Sequence, residues 1–477
     1  MSATGRIAGW VLMMAAAIPF AVAGAPDPFA TGALIAKSPA ASLANPRAGL
    51  ACDFSGIPSN PLALSDVVER ALCNNPQTHE AWANARAQAA QLGVSRSAEL
   101  PTISATGAVS RNETNGGGSQ GTGANSYTQQ SAGVSLNYVL YDFGARTASI
   151  ETAQHVLAAA NAAQDTSIQT VFLAAVQAYY QTFAAQAAVQ AATEAEKASS
   201  EGLKAATVRN EVGAGTPADK LQAQTAYSQA VLNRIRAEGD AKTAQGVLAN
   251  VMGLDANTAV MIAPPAAQTA DDNFERDVAR LIDEARKNRP DLAAAEAQIK
   301  AAQANAAAVS ATGRPSLSLT GDINYSDTTA SDSFRSSALG ITLSVPLFTG
   351  YNTAYRIQAA QAQVASRVAQ RDLLSQQIAL DVWKAYQNLL TDTQALKSSA
   401  DLVASAAQSE RVALGRYKAG AGSILDVLTA QSALAGARQQ NVQALFGWYI
   451  AKATLAQAMG QLDFAAIAAA PAGQSPR

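Results

Sequence analysis

Charged residues, histidines and cysteines are all scarce in this chain. Charged residues make up 15% of its 477 residues, whereas about 25% is usual in globular proteins. The net charge of −2 provides no basic surface to neutralise phosphates, which argues against nucleic acid as a partner. The two histidines, His79 and His155, lie far from each other and from any cluster of acidic residues or cysteines. We therefore expect no cofactor, no metal site and no enzymatic activity.

Long apolar runs are also lacking beyond the N-terminus. Residues 1–25 are typical of a signal peptide, with a positive charge at Arg6, an apolar core over 7–20 and small residues at 21–23. A membrane anchor is the alternative, which Pro19 disfavours. No later run reaches the roughly 18 apolar residues of a spanning helix, so a later membrane crossing requires β-strands.

The two cysteines are Cys52 and Cys73. In an exported protein an isolated pair is most simply a disulfide, here closing a loop of about twenty residues. The alternative is a lipid anchor on Cys52. Because Cys52 lies far from the signal core and the preceding residues 49–51 fit a lipoprotein cleavage site poorly, we predict the disulfide.

One short motif occurs twice. GAGTPADKLQAQ at 213–224 and GAGSILDVLTAQ at 420–431 are identical at seven of twelve positions. The first glycine of each copy follows a long helical pattern and is expected to end that helix in the left-handed conformation. A new helix then begins at once, so each motif forms the tip of an antiparallel helical hairpin. The turn glycines are Gly213, Gly215, Gly420 and Gly422.

The second helix of each hairpin begins with a capping signature. Thr216 and Ser423 suit the N-cap, and aspartates follow three residues later at Asp219 and Asp426. One interpretation is that both aspartates are helix caps only. The other is that they also face a pore, since a cap at a hairpin tip is free to do both.

The duplication extends over most of the chain. Asn75-Pro76 corresponds to Arg289-Pro290, and Leu100-Pro101 to Arg314-Pro315, at one constant offset. A repeat this long indicates a duplicated unit. We expect a signal peptide at 1–25, an extended N-terminal segment at 26–61, a first repeat at 62–255, a linker at 256–275, a second repeat at 276–463 and a tail at 464–477. Within the repeats we expect helices at 62–100 and 276–313, strands at 101–142 and 315–347, and helical hairpins at 144–253 and 350–460.

The strand segments alternate strictly between apolar and small or polar residues, as from Ile103 to Val109 and from Leu339 to Leu347. The connections at 114–126 and 328–334 are rich in Gly, Ser and Thr. Such strands suit a transmembrane barrel, but one chain supplies four and a small barrel needs at least about eight. Open sheet edges are not tolerated in lipid, so the barrel must be shared between chains.

The helical patterns from about Gly144 to Val212 and from Gly350 to Ala419 are uninterrupted. At 1.5 Å per residue, each would extend about 100 Å. Helices of this length do not fit a globular core and indicate a coiled-coil tube or rod.

These features together resemble the TolC family of outer membrane efflux and secretion channels. The resemblance covers about 62–463 and includes ALCNNP at 71–76, LPTIS at 100–104, VPLFTGY at 345–351 and RYKAGAGSILDVLTAQ at 416–431. It implies an α/β membrane protein and a homotrimer, with four strands per chain forming a twelve-stranded outer membrane β-barrel. A long α-helical coiled-coil tunnel would continue that barrel through the periplasm.

The resemblance also implies a gate at the hairpin tips, where a tyrosine, an arginine and aspartates hold the tunnel closed. By position these are Tyr417, Asp219 as its hydrogen-bond partner, and Asp426 in a ring around the pore. The family's arginine would fall on Gly422, so Arg416 is the expected substitute. The alternative for Tyr417 is simple packing on a neighbouring helix.

The function implied is an exit duct for an inner-membrane ABC transporter or proton-driven pump, joined through a periplasmic adaptor. The lack of a lipid-anchor cysteine favours type I secretion of a haemolysin- or cyclolysin-type toxin over drug efflux. A stand-alone porin would not need the long helices, and a coiled-coil adhesin would not need two-faced strands.

Overall fold

A computed structural model describes residues 27–42, 52, 61–116, 123–265, 277–329 and 331–463. The predicted signal peptide at 1–25 and the tail at 464–477 lie outside these residues. The described residues form two compact units. One comprises 27–35, 86–159 and 296–369, and the other comprises 36–85, 52 included, 160–295 and 370–463, within the described ranges.

Eight α-helices and four strands are described, besides a short 3₁₀ helix at Thr31–Leu34 in the N-terminal segment. The first repeat contains α1 (Leu64–Asn74), α2 (Pro76–Ser97), β1 (Thr102–Gly116), β2 (Gly123–Tyr141), α3 (Ala145–Glu211) and α4 (Pro217–Val251). The second contains α5 (Val278–Asn288), α6 (Pro290–Ala311), β3 (Ser316–Thr328), β4 (Ser331–Ser344), α7 (Asn352–Lys418) and α8 (Ile424–Ala458). None of the helices in the described part of the chain is both long and apolar enough to cross a membrane.

The two repeats have helices of identical length, which confirms the duplication. Each has helices of 11, 22, 67 and 35 residues in that order. The break between the first two helices has the same cause in both repeats. Asn75 and Arg289 are extended, with ψ of 130° and 122°, because the proline that follows excludes the helical conformation from the residue before it. That proline then begins the next helix, where its missing N–H costs nothing.

The strands form one antiparallel sheet in the order β1-β2-β3-β4. Its register separates two faces. Rows such as Ile103–Leu136–Gly321–Leu339 are apolar, while the adjacent row Thr102–Asn137–Thr320–Gly340 is polar or small. The apolar face is largely exposed in the single chain, and Leu339 is 76% exposed. This confirms the predicted alternation and leaves a broad apolar surface, which is typical of contact with lipid.

The strand ends differ from expectation. The connections predicted at 114–126 and 328–334 are too long, because Gly116 pairs with Gly123 and Thr328 with Ser331. These residues pair through their backbones, which needs no apolar side chain. At the other end, the strand predicted through residue 347 stops at Ser344, since Pro346 has no N–H to donate to a ladder.

The main core lies in the second unit, around the middle of α3. An apolar stripe at helical spacing along this helix is buried: Ile168, Phe172, Ala175 and Tyr179 belong to the core and Phe183 packs against it. Tyr180 of α3 stacks on Tyr449 of α8 with ring centroids 4.7 Å apart. Cys73 of α1 is also buried in this core, and its bond to Cys52 confirms the predicted disulfide.

Candidate functional site at the helical hairpin tips

Both hairpin turns end their first helix in the same way. Gly213 and Gly420 adopt φ of 69° and 78°, a conformation that costs other residues about 1–2 kcal/mol. The amide of the next residue reaches back to the last turn of the helix. Ala214 donates to the carbonyl of Arg209 and Ala421 to that of Arg416, both at 2.8 Å. These bonds satisfy carbonyls that the helix end would otherwise leave without partners.

The aspartates of both tips are engaged as caps. In the first tip the Asp219 amide donates to the Thr216 hydroxyl at 3.2 Å, and the Asp219 carboxylate accepts from the Thr216 amide at 3.1 Å. Ser423 and Asp426 make the same two bonds at the same distances in the second tip. Such caps stabilise a helix by about 1 kcal/mol. Asp426 is nevertheless exposed, so its charge remains available to solvent and ions.

The second glycine of each turn fits closely against the helix end. A Cβ at Gly215 would lie 3.2 Å from the Cβ of Arg209, and one at Gly422 would lie 3.2 Å from the Cβ of Arg416. Both distances are shorter than an ordinary van der Waals contact. The turn of this chain is therefore shaped around glycine at the position where the resemblance places an arginine.

The two tips meet through Arg209 and Tyr417. The Arg209 guanidinium lies over the Tyr417 ring, 4.8 Å from its centroid, and donates to the Tyr417 backbone carbonyl. Tyr417 is only 3% exposed and packs in a small apolar cluster. The other buried members of that cluster are Ala206, Ala223, Ile424 and Val427.

The hydrogen bond expected between Tyr417 and Asp219 is not formed. Among the described residues the buried Tyr417 hydroxyl has no hydrogen-bond partner. The Asp219 carboxylate instead accepts from the Thr216 amide through Oδ2. The aspartate is close enough to act electrostatically. Burial raises the pKa of the Tyr417 hydroxyl, Arg209 opposes this rise, and Asp219 adds to it. Packing on a neighbouring helix, the alternative for Tyr417, is what the structure contains.

Arg416, the expected substitute for the family's arginine, contacts no aspartate in the described residues. Its guanidinium donates to the Ala421 carbonyl of its own turn at 3.4 Å, as Arg209 does to Ala214 at 3.2 Å. Arg209 is not among the residues predicted from the sequence. The signal was present, because extending the alignment of the two motifs backward by four residues pairs Arg209 with Arg416.

A groove of about 590 Å³ lies between α7 and α8 beside the second tip. Arg416 and Asp426 contribute opposite charges to its lining, and Val412 and Leu425 contribute apolar surface. Val412 and Leu425 are 49% and 61% exposed in the single chain. The groove therefore combines apolar contact area with a charge of each sign, which is the composition of a protein-binding surface.

Residues 67–254 and 281–461 match the outer membrane efflux protein family. The chain belongs to this family. Each matched segment covers most of one repeat, so the family pattern follows the duplication. Members of this family are outer membrane channels and not enzymes, and they serve as the outer membrane part of tripartite export systems.

Individual members of the outer membrane efflux protein family are similar over most of their length. Protein CyaE of Bordetella pertussis is 30% identical over 387 residues, which are 80% of each chain. The outer membrane efflux protein BepC of Brucella suis is 23% identical over 402 residues, covering 84% of this chain and 85% of BepC. The crystal structure of the Campylobacter jejuni CmeC outer membrane channel has a TM-score of 0.74 at 18% identity, covering 83% of this chain and 85% of CmeC.

Proposed function

We propose that the protein is the outer membrane exit duct of a tripartite export system and works as a homotrimer. The observation that carries this proposal is the two-faced sheet. Within the described residues β1 and β4 each pair on one side only, and an unpaired edge cannot remain in lipid. Three copies close these edges into a barrel with the apolar face toward lipid and the polar face toward an aqueous lumen.

The helices extend the duct into the periplasm. A 67-residue helix is about 100 Å long at 1.5 Å per residue, far more than a diffusion pore needs. The groove at the second tip is the docking surface we assign to the periplasmic adaptor. It supports the proposal because it presents the exposed apolar side chains of Val412 and Leu425 beside Arg416. The adaptor in turn joins the duct to an inner-membrane ABC transporter or proton-driven pump.

The hairpin tips form the gate of this duct. In the trimer Asp426 recurs around the opening, where like charges in a narrow mouth attract cations. Tyr417 and Arg209 hold the two hairpins of one chain together in the closed state. Asp219 caps the N-terminus of its own helix, and its negative charge acts on the nearby Tyr417. We expect Asp426→Asn to lower cation preference in planar bilayers more than Asp219→Asn does.

The cargo we propose is a protein toxin exported in one step by type I secretion. Cys52 is bonded to Cys73, so it does not carry the lipid anchor expected of the acylated drug-efflux branch. Efflux of small molecules is the second candidate. It is favoured by the toluene efflux pump outer membrane protein TtgC of Pseudomonas putida, which is 28% identical over 407 residues.

Two measurements test the function. Purified protein in planar bilayers must conduct, and a strain lacking the gene must lose export. Toxin missing from the medium supports type I secretion, whereas increased sensitivity to toluene or antibiotics with normal toxin export supports efflux. If the protein conducts but deletion of its gene changes neither toxin export nor small-molecule efflux, the protein is a stand-alone pore. If purified trimers do not conduct at all, the duct proposal is wrong.

A further inference from the structure

One carboxylate lies deep in the polar face of the sheet. Asp322 belongs to β3 and to the row Ser104–Ser135–Asp322–Ala338. All other charged residues of the described strand positions lie closer to the two hairpin ends of the sheet. They are Arg111, Glu113, Asp327, Asp332 and Arg335. The nearest of these along the sheet, Arg335, is opposite Tyr325, three residues further along β3 and about 10 Å away at 3.3 Å per residue.

Asp322 is half-buried, and no positive charge among the described residues of its own face neutralises it. The other members of its row are two serines and an alanine, and the hydroxyls of Ser104 and Ser135 are hydrogen-bonded to each other at 2.7 Å. No lysine or arginine occupies the polar face of the described strands, since Arg111 and Arg335 belong to the opposite set of rows. The Asp322 charge is therefore not offset by a cation on its own face.

A neighbouring residue fixes the position of this carboxylate. The Asn324 amide donates to Asp322 Oδ2 at 3.1 Å. Asn324 reaches this position by lying across Gly133 on the adjacent strand, where a Cβ would clash with its Oδ1. A glycine in the middle of a strand is unfavourable by itself, and here it makes room for the side chain that orients Asp322.

We propose that Asp322 determines charge selectivity within the barrel, as a second selectivity element separate from the hairpin tips. The inference rests on the proposed trimeric duct, in which the polar face lines the lumen. Three copies then place three Asp322 carboxylates at one level of that lumen. A carboxylate that faces a water-filled lumen keeps its charge and tunes the selectivity of the channel, and rings of carboxylates select cations. Cations and positively charged cargo segments are favoured at this level.

The test compares two aspartates of the same strand. Purified full-length trimers are placed in planar bilayers under a KCl gradient, in an Asp426→Ala background so that the tip ring does not dominate. Asp322→Asn should lower the cation-to-anion permeability ratio by about fivefold, the Boltzmann factor for two unit charges about 4 Å apart in water. Asp327→Asn removes the same charge from the opposite face and should leave the ratio unchanged.

A second variant tests the charge at this position in a channel that has already folded and assembled. Because both native cysteines are in the disulfide, Asp322→Cys introduces a single reactive thiol that is modified after assembly. A cationic methanethiosulfonate reagent should shift the channel toward anions, and an anionic one should restore cation preference. Ile323→Cys, on the apolar face, should respond to neither.

Each outcome decides between the proposals. An unchanged ratio in Asp322→Asn, or equal effects in Asp322→Asn and Asp327→Asn, overturns the selectivity role while conduction still supports the duct. Absence of modification at Asp322→Cys, with modification at Ile323→Cys, means that the two faces are reversed. Failure of the parent channel to conduct overturns the duct and the Asp322 proposal together.

Discussion

Arg209 of the first repeat covers the aromatic ring of Tyr417 of the second, and it also binds the Tyr417 backbone carbonyl. Among the described residues, the corresponding arginine of the second repeat, Arg416, donates only to the carbonyl of Ala421 in its own turn. The duplicated arginines have therefore diverged in role. One connects the two hairpins, and the other stabilises its own turn.

This difference gives a matched pair of variants for the gate. We expect Arg209→Ala to raise the open probability of the channel in planar bilayers, because it removes a charge-assisted hydrogen bond of about 1.5–3 kcal/mol per chain and a cation–π contact of about 0.5–1 kcal/mol. Arg416→Ala should have a smaller effect, since no contact between the hairpins is lost. Equal gating in both variants would show that the Arg209 contact does not hold the tips closed.

The unpartnered hydroxyl of Tyr417 predicts that its ring and not its oxygen stabilises the closed tip. Tyr417→Phe should gate like wild type, because a buried hydroxyl without a hydrogen bond contributes nothing that phenylalanine lacks. Tyr417→Ala should open more readily, since it removes the surface on which Arg209 lies and leaves a cavity costing about 3–5 kcal/mol. Single-channel recording separates the two, and a marked increase in opening by Tyr417→Phe would restore the hydroxyl link to Asp219.

The register of the sheet predicts opposite effects at two adjacent residues of β4. Leu343 is paired with Leu317 on the apolar face, whereas Thr342 is paired with Ser318 on the polar face. Leu343→Arg should reduce the yield of membrane-inserted trimer, since it turns a basic residue toward lipid. Leu343 lies one residue from the end of β4, where this costs about 0–1 kcal/mol, less than the ~2–4 kcal/mol of the membrane centre. Thr342→Arg should assemble nearly normally. Equal trimer yields on native gels would mean that the faces are misassigned.

The disulfide predicts a stability change that reducing agents should reproduce. It joins residues 21 positions apart, and closing a loop of that size contributes about 3 kcal/mol in the chain-entropy model. Replacing Cys52 and Cys73 together by serine should lower the midpoint of thermal unfolding, and dithiothreitol should lower that of wild type equally. Mass spectrometry of the non-reduced protein provides the direct check, where two free thiols would contradict the bond.

Two glycines near the second tip should respond oppositely to alanine. Gly420 has φ of 78°, so Gly420→Ala should destabilise the protein by about 1–2 kcal/mol. Gly415 lies inside α7, where an added Cβ meets nothing within 4 Å, and Gly415→Ala should stabilise the helix by up to about 1 kcal/mol. Chemical denaturation measures both, and a loss of stability in Gly415→Ala would indicate a contact that the single chain does not contain.

Local rules predicted much of this fold, because the deciding interactions lie within a few residues of each other. Capping by Thr216 and Ser423 depends on an aspartate three positions away, and the break at Asn75 depends on the next proline. The two faces of the sheet follow from strict alternation. The strand ends were less predictable, since Gly116 and Gly123 pair only through their backbones.

The contact between Arg209 and Tyr417 was not predictable in the same way. These residues are 208 positions apart, and nothing in either local pattern specifies which of two equivalent arginines crosses to the other hairpin. By contrast, the sequence did predict that Asp219 takes part in capping its own helix.

The equal helix lengths of the two repeats limit how this protein family can change in size. A single inserted residue would rotate the remainder of a helix by about 100° and move the apolar stripe of α3 away from its core. Four residues added to α3 alone would carry its end about 6 Å past that of α7, separating Arg209 from Tyr417. A longer or shorter duct must therefore arise by compensated insertions or deletions, made in both halves of the gene and in steps of whole turns.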